Sequence, residues 1–322
     1  MPKLEIVAFS EEHLDGAAAL LAERHRTHRR AEPLLSERFE DAASARHEIA
    51  AIWRSDAASG AAALRDGRVV GFLLGVPHDE AVWGPNVWID AAGHAAEEPE
   101  TVRDAYAIAA ARWADEGRTR HYALVPAFDA RVLDAWYRLC FGQQQAHGLR
   151  EVPPETGVDV PDGFEIREPD LADLDRLIEL DLALPRHQQG APVFSNRPLP
   201  TPEECRREWH DTLTAGTEDV LLGYCDGRPV ACWSILSVEH SRMHTGLAAP
   251  DRAAYLAFAV TLPEFRGSGI GVALTDAVLA RAAEQGYPAM VTDWRVTNLL
   301  ASRFWPRRGF RTSFLRLYRS IP

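Results

Sequence analysis

The stretch "EFRGSGIG" at residues 264–271 places three glycines at alternate positions directly behind an arginine. The apolar run "AYLAFAV" (residues 254–260) precedes it, and the alanine-rich segment "VALTDAVLARAAEQGY" follows it. This order predicts a strand, a glycine turn and a helix. Glycines let the backbone approach a ligand closely, and the unpaired N–H groups at a helix start attract anions. The stretch therefore predicts a phosphate-binding turn, to which Arg266 adds a positive charge.

The spacing of the glycines excludes two familiar phosphate loops. No Gly-Lys-Ser/Thr sequence ends the turn, so it is not a Walker loop, and the third glycine of a dinucleotide-binding fingerprint is displaced. A glycine turn that only joins a strand to a helix is the structural alternative.

The sequence repeats itself once. "LEI" at residues 4–6 and "FEI" at residues 164–166 lie 160 positions apart, as do Asp66 and Asp226 of two "DGR" turns. Farther along, the offset becomes 169 and aligns Trp136 with Trp305, which predicts a longer loop in the second copy. A repeat of this length indicates a duplicated domain. We predict domains at 1–150 and 160–322, with the proline-rich segment 151–163 as linker.

Each copy shows the same predicted order of elements. A strand and two helices precede an Asp-Gly hairpin, and then come a strand, a long helix, a strand, a short helix and a closing strand. This order predicts the α+β class, with a mixed and mostly antiparallel sheet flanked by helices in each domain.

The first copy lacks the glycine turn. By the offset of 169, residues 266–271 align with "EEPETV" at residues 97–102. Three glutamates would repel a phosphate, and Pro99 has no N–H to offer. We therefore predict that the first domain keeps the fold and does not bind the anionic ligand.

Two motifs of the second copy resemble those of the GNAT acyltransferase superfamily. The pattern Arg-x-x-Gly-x-Gly, here Arg266, Gly269 and Gly271, resembles its acyl-CoA-binding signature. Downstream, "N-x-x-A-x-x-F-W-x-x-x-G-F", from Asn298 to Phe310, resembles its second motif. The order of elements resembles the GNAT fold in both halves, so the likeness covers nearly the whole chain as a tandem pair. Such pairs also occur in relatives such as the mycothiol synthases.

The resemblance implies an acyl-CoA site in the second domain. In this family the strand before the glycine turn binds the pantetheine arm through its backbone, and the turn binds the diphosphate. The residues at these positions and in the second motif are Phe258, Ala259, Val260, Arg266, Gly267, Ser268, Gly269, Ile270, Gly271, Asn298, Ser302 and Trp305. The implied donor is acetyl-CoA or another acyl-CoA, and the implied acceptor is a small-molecule amine.

The acid and the base of the reaction are open. The family often has a tyrosine acid where this chain has Trp305, and an indole cannot protonate a thiolate. The alternatives are water and three side chains: Ser302, Tyr255 and Tyr318. Asp293, at the end of the strand "MVTDW", is the preferred base, and the alternatives are Glu239, His240 and His244. Each of these residues is equally compatible with a loop or capping role.

Three further sets of residues have both a functional and a structural interpretation. Four tryptophans fit either an acceptor pocket or the core: Trp209, Trp233, Trp294 and Trp305. Four arginines fit either the 3′-phosphate of CoA or a solvated face: Arg303, Arg307, Arg308 and Arg311. The proline-rich segment 185–204 differs from its counterpart in the first copy, so we expect it to shape acceptor specificity.

Composition limits the remaining possibilities. The net charge of −12 argues against nucleic acid as a partner. The N-terminal segment lacks a leader pattern, and no apolar run reaches the length of a membrane span. The four cysteines show no zinc spacing, so we expect buried free thiols in a reducing cytoplasm and no metal site. A single lysine and abundant alanine are typical of a GC-rich bacterial genome, and a homodimer is compatible with all of this.

Two functions from different classes follow. The first is an acetyl-CoA-dependent N-acyltransferase with its site in the second domain. The second is a non-catalytic acyl-CoA-binding or regulatory protein, which the loss of the tyrosine acid would favour. A protein in which neither half binds CoA would require the glycine turn to be accidental.

Overall fold

A computed structural model describes residues 3–80 and 83–322. Its strands and helices follow in chain order as β1 (Leu4–Ala8), α1 (Leu14–Ala31), α2 (Ala42–Trp53), β2 (Ser59–Arg65), β3 (Arg68–Glu80), β4 (Gly84–Ile89), β5 (His94–Ala96), α3 (Pro99–Asp115), β6 (Arg120–Pro126), α4 (Ala130–Tyr137), β7 (Gly142–Glu151), β8 (Phe164–Arg167), α5 (Leu174–Gln189), α6 (Pro202–Ala215), β9 (Asp219–Cys225), β10 (Arg228–Ser237), β11 (Ala254–Thr261), α7 (Ile270–Glu284), β12 (Ala289–Arg295), α8 (Leu299–Arg307) and β13 (Arg311–Ser320).

The chain forms two compact units that are not continuous in sequence. The first unit comprises Met1–His147, Gly246–Asp251 and Thr312–Pro322, and the second comprises Gly148–Thr245 and Arg252–Arg311. The end of the chain thus supplies a strand to the first unit. That residues 1–150 and 160–322 fold as separate domains stays a prediction.

The sheet of the first unit is mixed and mostly antiparallel. Its strands pair in the order β1-β2-β3-β4-β6-β13, with β5 attached to β3. The β4–β6 pair is parallel, and it is continuous over four residues, from Asn86 opposite Arg120 to Ile89 opposite Ala123. The other pairs described on this path are antiparallel.

The sheet of the second unit repeats this plan. Strands β8, β9, β10 and β11 pair as antiparallel neighbours, and β12 joins β11 in parallel. The predicted α+β class, with a mixed sheet and flanking helices, is confirmed for both units.

The sequence offsets reappear in the element bounds. β2 and β9 begin at residues 59 and 219, and β6 and β12 begin at residues 120 and 289. These pairs lie 160 and 169 positions apart. The longer loop of the second copy is residues 238–253, between β10 and β11.

Helix α7 packs on the sheet of the second unit through a glycine. A Cβ at Gly223 of β9 would lie 2.7 Å from Cγ1 of Ile270, the first residue of α7. The bare backbone at Gly223 thus admits the buried Ile270 side chain and fixes the height of the helix start above the sheet.

The described residues contain neither a candidate membrane span nor a candidate metal cluster. Within the described ranges, no helix is long and apolar enough to cross a bilayer. The same residues contain no group of three or more histidine, cysteine or acidic side chains placed to hold a metal. All four cysteines are free, and Cys205 and Cys232 are buried. The expectation of burial is wrong for Cys140, which is exposed in a left-handed turn (φ 62°) after α4.

We expect the stability of the first unit to fall below neutral pH. Burial lowers the pKa of His25 to about 4, and those of His28 and His94 to about 3. The unfolded chain therefore binds more protons than the folded one as pH falls from about 6.5 to about 4, so stability decreases with decreasing pH in that window. The loss is about 1.4 kcal/mol per histidine for each pH unit once the unfolded chain is protonated.

Urea unfolding at pH 7 and at pH 5.5 measures this loss. His28 packs against Phe128 and Phe314, with ring centroids 4.8 Å away in each case, so His28→Leu keeps an apolar contact and removes one titrating group. The variant should show a weaker pH dependence. Equal wild-type stability at the two pH values would contradict the prediction.

Candidate functional site

The glycine turn begins α7 in a backbone conformation that favours glycine. Gly267 has φ 82° and Gly269 has φ 93°, both in the left-handed region. The Ser268 hydroxyl donates to the carbonyl of Phe265 at 2.8 Å and so holds the turn between them. Gly269 is the N-cap residue of α7. The Ile270 N–H donates to the Ser268 hydroxyl at 3.4 Å, and the Val272 N–H donates to the Gly269 carbonyl at 2.9 Å. The Gly271 N–H has no acceptor among the described residues, and this end of α7 carries the positive end of the helix dipole.

The three glycines of the turn are favoured for different reasons. A Cβ at Gly269 would lie 3.0 Å from Cγ of Pro161, and one at Gly271 would lie 3.3 Å from Cη2 of Trp233. No atom lies within 4 Å of a Cβ at Gly267, so only its positive φ favours glycine there. Close packing against Pro161 and Trp233 thus favours glycine at two of the positions, and the backbone conformation favours it at Gly267 and Gly269.

Arg266 lies beside this turn. Its Nε donates to the carbonyl of Thr261 at 3.2 Å, which ties the side chain to the end of β11. Partial burial lowers the pKa of the Arg266 guanidinium, and the negative charge of Glu264 acts in the opposite direction. The guanidinium remains a cation at neutral pH, because an arginine pKa starts far above that range.

Strands β11 and β12 separate after two residue pairs. Ala254 lies opposite Met290 and Tyr255 opposite Val291, and no pair follows within the described strands. The Thr292 hydroxyl then donates to the carbonyl of Leu256 at 3.0 Å, across the point where the strands part. The backbone of β11 beyond this point is thus free on its β12 side.

A bulge in β11 lies at the same place. On the β10 side, Ile235 pairs with Leu256 and Ser234 pairs with Phe258, so Ala257 is the extra residue of a β-bulge. Such a residue has backbone groups that the sheet does not use. The bulge and the strand separation together open the sheet.

A cavity of about 460 Å³ runs from the glycine turn into this opening. Eight of the twelve residues expected to bind the cofactor line it: Ala259, Val260, Arg266, Gly267, Gly269, Gly271, Asn298 and Trp305. The other four have different neighbours. Phe258 packs against Trp209, with ring centroids 5.9 Å apart, Ile270 is buried beneath the turn, Ser268 holds the turn, and Ser302 lies on α8 outside the lining.

Asp293 is the carboxylate of the cavity wall. The Tyr255 hydroxyl donates to its Oδ1 at 3.1 Å, and Nε2 of the buried His244 lies 3.7 Å from the same atom. Burial raises the pKa of the Tyr255 phenol, and the negative charge of Asp293 raises it further. Tyr255 therefore stays protonated at any physiological pH.

The other acid and base alternatives lie elsewhere. Glu239 and His240 are exposed in the loop after β10. Tyr318 belongs to the first unit, where its ring packs against Tyr122 at 5.0 Å. Of the three alternative bases, it is His244 that contacts Asp293.

The tryptophans divide between the cavity and the core. Trp233, Trp294 and Trp305 line the cavity, although each is at most 6% exposed. Trp209 is in the apolar core with Leu177 and Cys205. Of the arginines in the basic set, Arg311 is paired with Glu151, whereas Arg303 and Arg307 are exposed.

Two contacts of Asn298 define the start of α8. Its side-chain Oδ1 accepts the backbone N–H groups of Leu300 and Ala301, at 3.2 and 3.3 Å, so it caps the helix as expected. The same Oδ1 lies 3.3 Å from Nε2 of His187, at the end of α5. His187 also lines the cavity. The sequence pattern gives no sign of this residue, because its partner lies 111 positions away.

The corresponding segment of the first unit is closed. Glu97 and Glu98 pair with Arg68 and Arg65, and Pro99 is the first residue of α3. The preceding residues pair with β3 as strand β5, where Ala96 lies opposite Gly71. The segment therefore offers two glutamates and a strand where the second unit has an open turn.

Comparisons with known proteins agree with this geometry. A model of the acetyltransferase (GNAT) family matches residues 187–310. No curated protein sequence matches the chain significantly. The GCN5-related N-acetyltransferase from Sphaerobacter thermophilus is 12% identical, with a TM-score of 0.58 over 98% of this chain and 95% of that chain.

A second solved structure is the GCN5-related glucosamine N-acetyltransferase region of a fungal multi-domain GH3 β-N-acetylglucosaminidase. It is 14% identical, with a TM-score of 0.55 over 99% of this chain and 38% of that chain. At such identities the likeness establishes the fold. Residues 187–310 therefore match the GNAT family, in a chain that has the GNAT fold over nearly its whole length.

Proposed function

We propose that the protein is an N-acyltransferase that moves an acetyl group from acetyl-CoA to the amine of a small molecule, at one site in the second unit. The family match supports acyl transfer as the general chemistry. The observation that carries the proposal is the left-handed glycine turn at the start of α7, which opens into a cavity that continues through the separated strands.

The residues present fit an acyl-CoA. The N–H groups at the start of α7 and the Arg266 guanidinium suit a diphosphate. The sheet leaves the backbone of Ala259 and Val260 unpaired on the side of β12. These backbone groups suit the amide groups of a pantetheine arm. When bound, acetyl-CoA supplies a thioester carbonyl and a thiolate leaving group.

Asp293 and Tyr255 are proposed to act on the acceptor side. The Asp293 carboxylate attracts an ammonium group to the cavity wall, and Tyr255 holds that carboxylate in place through its 3.1 Å hydrogen bond. Tyr255 also retains a proton that it can donate, because its pKa is raised. We assign no role to Ser302, which does not line the cavity.

The first unit is proposed to have no CoA site. Its two ion-paired glutamates occupy the place where the second unit has its anion site. Its parallel strands β4 and β6 stay paired over four residues and leave no opening between them. Segment 185–204, which contains the cavity residue His187 and continues into an exposed loop, is proposed to select the acceptor.

Release of CoA thiol from acetyl-CoA over a panel of amines tests the function. The panel should include alkyl amines, amino acids and glucosamine, the last because of the name of the fungal relative. We expect release that depends on one class of amine. Tight binding of acetyl-CoA with no release above the blank for any amine would favour the non-catalytic alternative, in which Trp305 marks the lost acid.

A further inference from the structure

We propose that His187 is a catalytic residue that accepts the proton of the acceptor amine through its Nδ1 atom, an inference that rests on the proposed function. His187 lies in the last turn of α5 and lines the cavity that Asp293 also lines. Its ring is held by Asn298, whose capped helix α8 forms part of the same cavity.

The contacts of Asn298 determine the tautomer of His187. Two backbone N–H groups donate to the Asn298 side-chain atom at 3.2 and 3.3 Å, so this atom is the amide oxygen, which can only accept. The His187 Nε2 atom, 3.3 Å from that oxygen, must therefore donate and carry a hydrogen. In a neutral imidazole the other nitrogen then has the lone pair. Nδ1 of His187 is consequently the basic atom.

This Nδ1 atom is available to a substrate. Among residues 3–80 and 83–322, no hydrogen-bond partner of Nδ1 is found, and the atom is not one of the buried unsatisfied groups. It is therefore reached by solvent in a half-buried side chain. Asp293, in contrast, already accepts the Tyr255 hydroxyl at 3.1 Å.

The charges around His187 come from several elements. The charged side chains that line the same cavity are Arg266, Asp293 and Arg295, and Arg186 precedes His187 on its own helix. The carboxyl end of α5 adds the negative end of a helix dipole. Asp293 attracts the cationic form of the acceptor to the same cavity.

Protons and electrons balance in the proposed step. One proton of the acceptor ammonium passes to Nδ1 of His187, which becomes an imidazolium that still donates through Nε2 to Asn298. The neutral nitrogen forms a bond to the acyl carbon as the carbon–sulfur bond breaks, and the electron pair of that bond leaves on the thiolate. A second proton passes from the nitrogen to the thiolate through water, so that amide and CoA thiol are the products, and the imidazolium returns its proton to solvent. No oxidant or reductant is needed.

His187→Gln and Asn298→Asp test this assignment in the full-length protein. His187→Gln keeps an N–H donor toward Asn298 and removes the base. It should lower kcat/KM for the best amine of the panel by about 100-fold. It should also abolish the acid limb of the pH profile, which is the fall in kcat/KM toward low pH as the base becomes protonated. The Kd for acetyl-CoA, measured by calorimetry, should change less than about threefold. His210→Gln, the same change at an exposed position on α6, is the matched control and should have no effect.

Asn298→Asp keeps the cap and places a carboxylate beside Nε2 of His187. The carboxylate would stabilise the imidazolium, so the acid limb should move to higher pH by about one unit. A histidine with only a structural role would not show this shift. Nitrogen-15 NMR of the imidazole ring provides a readout independent of turnover, and it should show the Nε2–H tautomer for the signal that His187→Gln removes.

The outcomes separate this inference from the proposed function. If His187→Gln retains the wild-type turnover with the same loss of rate at low pH, the role of His187 is overturned and the proposed function is not. An Nδ1–H tautomer of the wild-type ring would have the same consequence. Acetyl-CoA binding without any release of thiol by the wild type would overturn the proposed function, and the role of His187 with it.

Discussion

Replacing Gly269 with glutamate should raise the Kd for acetyl-CoA by at least about 100-fold, because like charges brought together at a binding site cost several kcal/mol. The substitution has three effects at one point. It places a side chain where φ is 93°, brings its Cβ to 3.0 Å from Pro161, and adds a negative charge at the helix start that should hold a diphosphate. Quenching of the fluorescence of the cavity tryptophans by acetyl-CoA measures the Kd.

Gly117→Glu is the matched control for Gly269→Glu. Gly117 also has a left-handed conformation, with φ 77°, and a Cβ at this position would meet no atom within 4 Å, but it follows α3 in the first unit. This variant introduces the same kind of backbone strain and adds the same charge far along the chain from the glycine turn. It should bind acetyl-CoA as the wild type does. Equal Kd values for Gly269→Glu and Gly117→Glu would contradict the prediction.

Replacing Asp293 with asparagine should lower kcat/KM with the best amine by about 100-fold, mainly through a higher KM for the amine, and leave the Kd for acetyl-CoA nearly unchanged. The amide keeps an oxygen for the Tyr255 hydroxyl, so the 3.1 Å hydrogen bond can persist. What is lost is the negative charge that faces the acceptor. Steady-state kinetics with varied amine, together with calorimetry for acetyl-CoA, separates the two effects.

Asp219→Asn is the control for Asp293→Asn. Asp219 begins β9, where it pairs with Arg281 at 3.5 Å and does not line the cavity. The variant removes one carboxylate from the same unit and should retain the wild-type kcat/KM for the amine. A loss of rate in Asp219→Asn equal to that in Asp293→Asn would show that net charge, and not the position of Asp293, controls the reaction.

The glycine turn and the repeat could be predicted because both depend on local sequence. Gly269 has a positive φ, which few other residues adopt, so its glycine is visible in the sequence. The Asp-Gly turns lie 160 positions apart, and the strands that lead into them, β2 and β9, are each seven residues long. The order of elements followed from these two features.

Side-chain directions near the bulge could not be predicted from the sequence. Regular alternation along β11 would place Tyr255 and Phe258 on opposite faces. Ala257 interrupts that alternation, and Phe258 packs against Trp209 and does not line the cavity. A bulge depends on the partner strand, and the sequence of β11 alone does not show it.

His187 illustrates a second limit. It and Asn298 lie 111 positions apart, and each alone has an ordinary explanation, as a helix-end histidine and as an N-cap. Only the tertiary fold brings them together. The placement of Thr312–Pro322 in the first unit is a limit of the same kind, because strand pairing between distant segments is set by the whole sheet.

A crystal structure of the chain with CoA bound tests the central claim most directly. We expect one CoA per chain, with its diphosphate on the N–H groups at the start of α7 beside Arg266 and its pantetheine arm along β11 toward the opening at Ala257. We expect no CoA at residues 97–102 of the first unit. CoA bound at that segment, or bound in the second unit away from the glycine turn, would contradict the claim.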